Sequence, residues 1–386
     1  MQNSFYNFAD PLEQLKQQSL YRSRCVQEGP QAVVLNLDGR QLLNFCSNDY
    51  LGLANHPAVC AAFQQAVNSY GVGSGAAHLI CGHSTAHHAL EEELAAFTGR
   101  SRALLFSTGY MANLGVISAL LGRGDSLFAD RLNHASLVDG ALLSRARLQR
   151  YAHADMDALQ TQLATCQSKA LLVSDGVFSM DGDLAPLEKL AHLAAQYQAG
   201  LLIDDAHGFG VLGAQGGGVV EHFGLSQQDV PILMGTLGKA FGTFGAFVAG
   251  ADDLIEFLIQ KARTYVFTTA LPPAVAAASR VSLQLVQTET WRREKLQQLI
   301  LRFRSGAEQQ GLPLLDSFTP IQPLLIGDSE RVMAISKQLL ALGFLVSAIR
   351  PPTVPAGTAR LRITFSAQHQ ESQVDALLDV LAKVVR

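Results

Sequence analysis

Lys239 stands in PILMGTLGKAFG (231–242), among glycines and small residues directly after the apolar run Ile232, Leu233 and Met234. A solvated lysine belongs in a polar stretch, whereas this one leaves a buried strand and enters a tight turn. The placement suggests an amine held inside a pocket; the plainer alternative is an ordinary loop residue. LLIDDAHGFG (201–210) sets Asp204 and His207 three apart at the carboxyl end of another apolar strand, where open parallel sheets bind ligands. A carboxylate there is costly unless it meets a cation, and a histidine beside it can donate to an oxygen anion or take up a proton. A two-ligand metal site is the competing idea; no third ligand follows at metal spacing, so no metal is expected. His134, in RLNHASLVDG, follows the strand SLFAD at the same ligand-facing end, although a lone histidine is usually structural.

Three glycine- and hydroxyl-rich turns accompany these residues. FSTGYMANLG (106–115) closes a strand with Ser107, Thr108 and Gly109 and enters a helix, so its backbone N–H groups can cradle a phosphate or simply be capped. DGVFSMDGD (175–183) places Ser179 in a polar turn, where plain turn chemistry is the alternative. GVGSGA (71–76) matches a dinucleotide fingerprint, but a helix precedes it and no strand does. A nicotinamide cofactor is therefore not expected, and the segment reads as a glycine loop lining a site.

The elements that position these residues follow from periodicity. Between about residues 100 and 250, the runs RALLFSTG, SLFADR, ALLVSDG, GLLIDDAHG, PILMGT and GAFVAG read as strands alternating with helices, which implies an α/β domain with a mainly parallel sheet. PLEKLAHLAAQYQ (186–198) puts Leu187, Leu190, Ala191 and Ala194 on one helical face. Val59, Ala62, Phe63, Ala66, Val67 and Tyr70 form a similar stripe, continued by Leu90, Leu94 and Phe97 in the next helix, and both are expected in the core. After residue 285 a long polar helix leads into shorter elements, IQPLLIG, GFLVSAIR and ARLRITF, and a closing helix, which suggests a smaller α+β lobe. The expected division is residues 1–47 (a helix, then a hairpin at Asp38-Gly39), 48–285 (the large α/β domain) and 286–386 (the small domain).

Composition excludes several functions. The 386 residues are 48% hydrophobic and 16% charged, with 29 Lys and Arg against 33 Asp and Glu, so no global field attracts nucleic acid or an anionic membrane. No stretch reaches the roughly 18 apolar residues of a membrane helix, and the amino terminus lacks the pattern of a signal peptide. A cytoplasmic location is expected. Cys25, Cys46, Cys60, Cys81 and Cys166 are odd in number and never in a C-x-x-C pair, so neither a disulfide framework nor a zinc site is indicated.

An amine on a glycine turn, a strand-end Asp with a His three residues on, a second His and a phosphate cradle meet the needs of pyridoxal 5′-phosphate. SNDYLGL, ALLFSTGYMAN, RLNHASLVDGA, GVFSMDGD, DDAHGFGVLG and GTLGKAFG, in that order, resemble the α-oxoamine synthases, a fold type I pyridoxal-phosphate family. The resemblance runs through nearly the whole chain. It implies that Lys239 holds the cofactor as an imine and later moves the α-proton, that Asp204 pairs with the pyridinium nitrogen, and that His134 stacks on the ring. It further assigns His207 and Ser179 to the phenolic oxygen, Gly109 and Tyr110 to the cofactor's approach, and Thr236 to the phosphate. Thr268 and Thr269 resemble residues that bind the phosphate across a subunit boundary, which implies a homodimer with shared sites. Arg22, Asn48, Arg350, Thr353 and Arg362 match substrate-binding positions, with Arg362 suited to hold a carboxylate through a bidentate pair.

IRPPTVPAGTARLRIT (349–364) looks most like the family members that condense L-alanine with pimeloyl-CoA or pimeloyl-acyl carrier protein in the biotin pathway. The alternatives are a sister reaction joining glycine to acetyl-CoA, and a non-catalytic partner subunit, which would lack the lysine. Two departures from the family pattern stand out: Ala76 and Ala77 replace a glycine and a serine common in relatives, and Asp175 stands where many carry Glu. Neither is expected to touch the catalytic set.

Overall fold

A computed structural model describes residues 7–18 and 20–385. After a helix at Ala9–Gln17 come β1 (Gln27–Glu28), β2 (Val34–Leu37) and β3 (Arg40–Asn44). β2 and β3 pair antiparallel across Asp38-Gly39, whose φ values of 47° and 73° are the left-handed pair a two-residue hairpin turn needs.

The central sheet holds β4 (Arg102–Phe106), β5 (Ser126–Asp130), β6 (Arg147–Tyr151), β7 (Ala170–Asp175), β8 (Gly200–Asp204), β9 (Ile232–Thr236) and β10 (Ala246–Gly250). Their order is β4-β10-β9-β8-β7-β5-β6; only β10 runs antiparallel to its neighbours. Alternate residues of each strand face two separate cores: Leu201 and Ile203 pack into one and Leu202 into the other. Burial on both faces is why these strands read as unbroken apolar runs. The edge strand β6, RLQRY, was not expected from the sequence. It is polar, only Tyr151 is buried, and one-sided pairing leaves no apolar run to detect.

The helices cover the sheet as expected, with Leu187, Leu190, Ala191 and Ala194 all buried. One stripe departs from expectation. In the Pro57–Tyr70 helix only Val59 and Ala66 are buried, while Phe63 and Tyr70 are 40% and 39% exposed. The period was helical, but half of the stripe faces away from this chain's core.

Beyond the helices Pro273–Thr288 and Trp291–Gln309 lie β11 (Ile321–Gly327), β12 (Phe344–Leu345), β13 (Ser347–Ile349) and β14 (Ala359–Thr364). GFLVSAIR therefore splits. β12 joins β3 in parallel, whereas β13 pairs with β14, which pairs with β11. The amino-terminal hairpin thus shares a sheet with a strand from residues 344–345. Among the described residues no helix is long and apolar enough to cross a membrane.

Candidate active site

Asp175, Asp204 and Thr236 end β7, β8 and β9, so the parallel register brings them to one edge of the sheet. Asp204 is 3% exposed. Its Oδ2 accepts a hydrogen bond from Asn113 Nδ2 at 2.7 Å and its Oδ1 accepts from the Ala206 amide at 3.1 Å. Both donors are neutral. Asn113 lies one turn into the Gly109–Leu120 helix, and its Nδ2 also donates to Ser136 Oγ at 2.8 Å.

Lys239 Nζ lies 2.8 Å from His207 Nε2. His207 Nδ1 shares a 2.7 Å hydrogen bond with Tyr50 OH, and Tyr50 OH donates to Asn48 Oδ1 at 3.2 Å. With the phenol donating outward, the imidazole donates from Nδ1 and accepts from the lysine at Nε2. Burial, then the charges of Lys239, Arg362 and His134, push the His207 pKa well below its usual value, so the ring is neutral. Burial also pushes the Lys239 amine down to about 8, against the opposing pull of Asp204 and Asp175, with Arg362 adding to the fall. An amine at that value exchanges protons readily near neutrality.

Asp175 belongs to this cluster, contrary to expectation. It faces Asp204 in register, and its Oδ2 accepts the His134 amide at 2.6 Å. Burial first, and the neighbouring Asp204 carboxylate second, raise its pKa well above the usual range. The departure from Glu is thus in direct contact with the backbone of a proposed site residue. The His134 ring is itself exposed, its Nδ1 2.7 Å from Ser136 Oγ, and Tyr110 meets it edge-on with centroids 6.1 Å apart. Tyr110 also donates to Asp139.

Arg362, on β14, is 7% exposed and reaches across to both halves of the site. Its Nε donates to the Ser179 carbonyl at 2.6 Å and its Nη2 to Asn48 Oδ1 at 3.2 Å. Arg350 Nη2 donates to the Tyr21 carbonyl at 3.4 Å, and the Thr353 amide to the Arg350 carbonyl at 3.1 Å, so the segments carrying Arg22, Arg350 and Thr353 come together. Thr236 Oγ1 donates to the Gly245 carbonyl at 3.1 Å. Thr268 and Thr269 lie elsewhere: Thr269 bridges to Ala77, and among the described residues neither is hydrogen-bonded to the Lys239 cluster.

Tyr50, Asn113 and Asp175 are the members that sequence reasoning missed. Tyr50 and Asn113 sit inside motifs, SNDYLGL and GYMAN, but their partners His207 and Asp204 lie 157 and 91 residues away, and no local spacing reveals such pairs.

The geometry fits a pyridoxal phosphate. The buried Asp204 carboxylate meets only neutral donors, and a protonated ring nitrogen would give it a cationic one. The Lys239 amine offers the imine-forming group. Gly109 and Tyr110, in the first turn of their helix, have N–H groups that no intrahelical carbonyl can satisfy, as an anion requires.

The model of the aminotransferase class I and II family matches residues 40–381. A serine palmitoyltransferase variant from S. paucimobilis with a bound PLP–myriocin aldimine superposes with a TM-score of 0.93 at 30% identity, over 99% of this chain and 97% of that one. Fold and site together define a fold type I pyridoxal-phosphate-dependent enzyme. An 8-amino-7-oxononanoate synthase from Nitrosococcus oceani is 64% identical over 97% of this chain and 100% of its own length. Another, from Methylococcus capsulatus, is 63% identical over 98% of each. The chain therefore belongs to the 8-amino-7-oxononanoate synthase family of α-oxoamine synthase acyltransferases, enzymes of biotin biosynthesis.

Proposed function

We propose that this enzyme joins L-alanine to a pimeloyl thioester, carried by coenzyme A or by acyl carrier protein, to give 8-amino-7-oxononanoate, carbon dioxide and the free thiol. The carrying observation is the chain Lys239–His207–Tyr50–Asn48–Arg362, which links a low-pKa amine to a buried guanidinium. Bound pyridoxal phosphate supplies the electron sink that makes the amino acid's α-proton removable. Lys239 takes that proton as a neutral amine, held by His207. Asp204 would hold the ring nitrogen in its protonated form, and His134 would cover the ring's face. Ser179, and His207 once Lys239 has left its Nε2, would meet the ring's phenolic oxygen, while Gly109, Tyr110 and Thr236 would hold the cofactor and its phosphate.

Arg362 takes the alanine carboxylate, its approach fixed by the Ser179 carbonyl and Asn48. Arg22, Arg350 and Thr353, brought together from the two ends of the chain, receive the acyl substrate. Thr268 and Thr269 serve the phosphate of the partner subunit in a homodimer, and Phe63, Tyr70, Val72, Ile80 and Phe267, all exposed on one chain, supply apolar surface for that contact. Residues 48–285 form the cofactor domain and 286–386 the smaller lobe carrying Arg350 and Arg362, in a cytoplasmic enzyme.

Thiol release by the cofactor-loaded protein tests the substrate reading. Release with L-alanine plus pimeloyl-CoA, together with the amino ketone, supports it. Release only with glycine plus acetyl-CoA overturns the substrates while leaving the cofactor chemistry in place.

A further inference from the structure

The run H-x4-H-x3-H-H-x2-E at 78–91 places more donor groups around the Thr85–Phe97 helix than its packing uses. His78, His83, His88, Glu91 and Glu92 line a cavity of about 280 Å³ walled by β4 and Tyr265. His87 is already spent. Its Nδ1 accepts the Ser84 amide at 3.0 Å, which leaves Nε2 to donate to the Leu271 carbonyl at 2.7 Å.

His83, His88 and Glu91 are less committed, the His88 ring having only an exposed contact of 3.4 Å from its Nε2 to Glu92 Oε1. Glu91 Oε1 accepts the Leu105 amide at 2.9 Å, and its other oxygen lies 3.9 Å from His83 Nε2. The Glu91 side chain is 13% exposed. The nearby Arg102 is bonded to Glu256 at 3.2 Å instead. His83 Nδ1 lies 2.9 Å from His78 Nδ1; when His83 donates in that bond, its Nε2 lone pair faces Glu91. A ring nitrogen fixed in this way is the usual support for a metal-binding imidazole. His88 precedes Glu91 by three residues on the helix, so the two share a face. The donor atoms of His83, His88 and Glu91 all lie within 4.8 Å of one another. A tetrahedral zinc ion with bonds of about 2.0–2.2 Å asks for donors about 3.3–3.6 Å apart; rotation of the exposed His88 side chain can bring its nitrogen in, and the 3.9 Å between His83 Nε2 and Glu91 has to close by a few tenths of an ångström.

We infer that His83, His88 and Glu91 form a binding site for a zinc-type divalent metal ion, with the cavity leaving a fourth position to water. Two imidazoles and one carboxylate suit zinc or cobalt better than calcium or magnesium, which prefer all-oxygen sets. The sequence reading missed the site because it weighed only the Asp204–His207 pair and cysteine spacing. Occupancy ties the first turns of the helix to the His78–Gly82 turn, and through the Ala77–Thr269 bridge to the segment carrying Thr268 and Thr269.

The test titrates tag-free, cofactor-loaded, chelator-stripped enzyme with cobalt and zinc. One equivalent per chain, with the visible bands of four-coordinate cobalt, is expected. Affinity should fall at least about tenfold in His88→Ala, an exposed position that does not threaten the fold, and in Glu91→Gln. Binding weaker than about 1 mM, or unchanged affinity in His88→Ala, overturns the proposal. The readout is spectroscopic, so it stands apart from turnover.

Discussion

Two clusters of ionisable side chains sit near the same edge of the central sheet and are completed in opposite ways. His153 lies between Asp130 and Asp183, with ring nitrogens 3.1 and 2.7 Å from their carboxylates, and Asp130 also accepts the Leu132 and Ala154 amides. Every charge there meets an opposite charge within the protein. In the Lys239 cluster, Asp204 and Asp175 face each other in register and accept hydrogen bonds only from neutral donors. The first arrangement holds loops together; the second is left for a ligand to complete.

Substitution of the open cluster should have the largest effect. Lys239→Ala is expected to abolish the visible absorbance of the lysine-bound cofactor and to lower turnover by on the order of 10⁴-fold or more. A variant that keeps full turnover removes the proposed role. Asp204→Asn keeps the shape and an acceptor but loses the charge proposed to hold the ring nitrogen protonated. Turnover should fall about 10²–10³-fold, the size of a lost charge-stabilising contact, with cofactor still bound by absorbance. An Asp204→Asn enzyme of unchanged kcat would place the partner of the ring nitrogen elsewhere.

This contrast also explains what was legible in the sequence. Lys239, Asp204 and His207 could be found because polar residues at the ends of unbroken apolar strands break a strong local pattern. Asn113 and Tyr50 could not, since each looks like an ordinary helix or turn residue until the fold supplies its partner. Asp175 was read as an incidental departure because nothing local shows that β7 lies beside β8. The central sheet was largely legible for the same reason that β6 was not: burial on both faces writes an apolar run, and a polar edge strand does not. Phe63 and Tyr70 mark the opposite limit, where a helical stripe reveals an apolar face without saying what covers it.

The closed cluster should show its effect in stability. Against the burial that would lower it, the hydrogen bonds and charges of Asp130 and Asp183 raise the His153 pKa from 6.5 to about 10. A raised pKa contributes stability that is fully present below about pH 6.5 and is lost as pH rises through about 10. His153→Ala should therefore cost about 2 kcal/mol at pH 6, allowing for partial solvent screening. The gap from wild type should close as pH approaches and passes about 10. Urea midpoints of both proteins across that range check it, and a gap independent of pH would mean that packing against Phe178 (centroids 4.5 Å apart), not charge, is what the residue supplies.

The smallest effect is expected one residue from one of the larger ones. Asp205 is fully buried beside Asp204, yet it turns to a different task. Its Oδ2 accepts the Val219 amide at 2.8 Å, at the start of a short helix. Burial holds its carboxyl well above the usual range, opposed by that hydrogen bond. Burial favours the protonated carboxyl, which is nearly isosteric with an amide, and Asn retains the acceptor that the Val219 amide needs. Asp205→Asn should leave kcat within about twofold and stability within about 1 kcal/mol of wild type. The paired substitutions at 204 and 205 thus separate charge from burial: both positions are buried carboxyls at one strand end, and only the one facing Lys239 is expected to require its charge. Equal losses in kcat at the two positions would show that burial alone, and not the open pairing at Asp204, sets the effect.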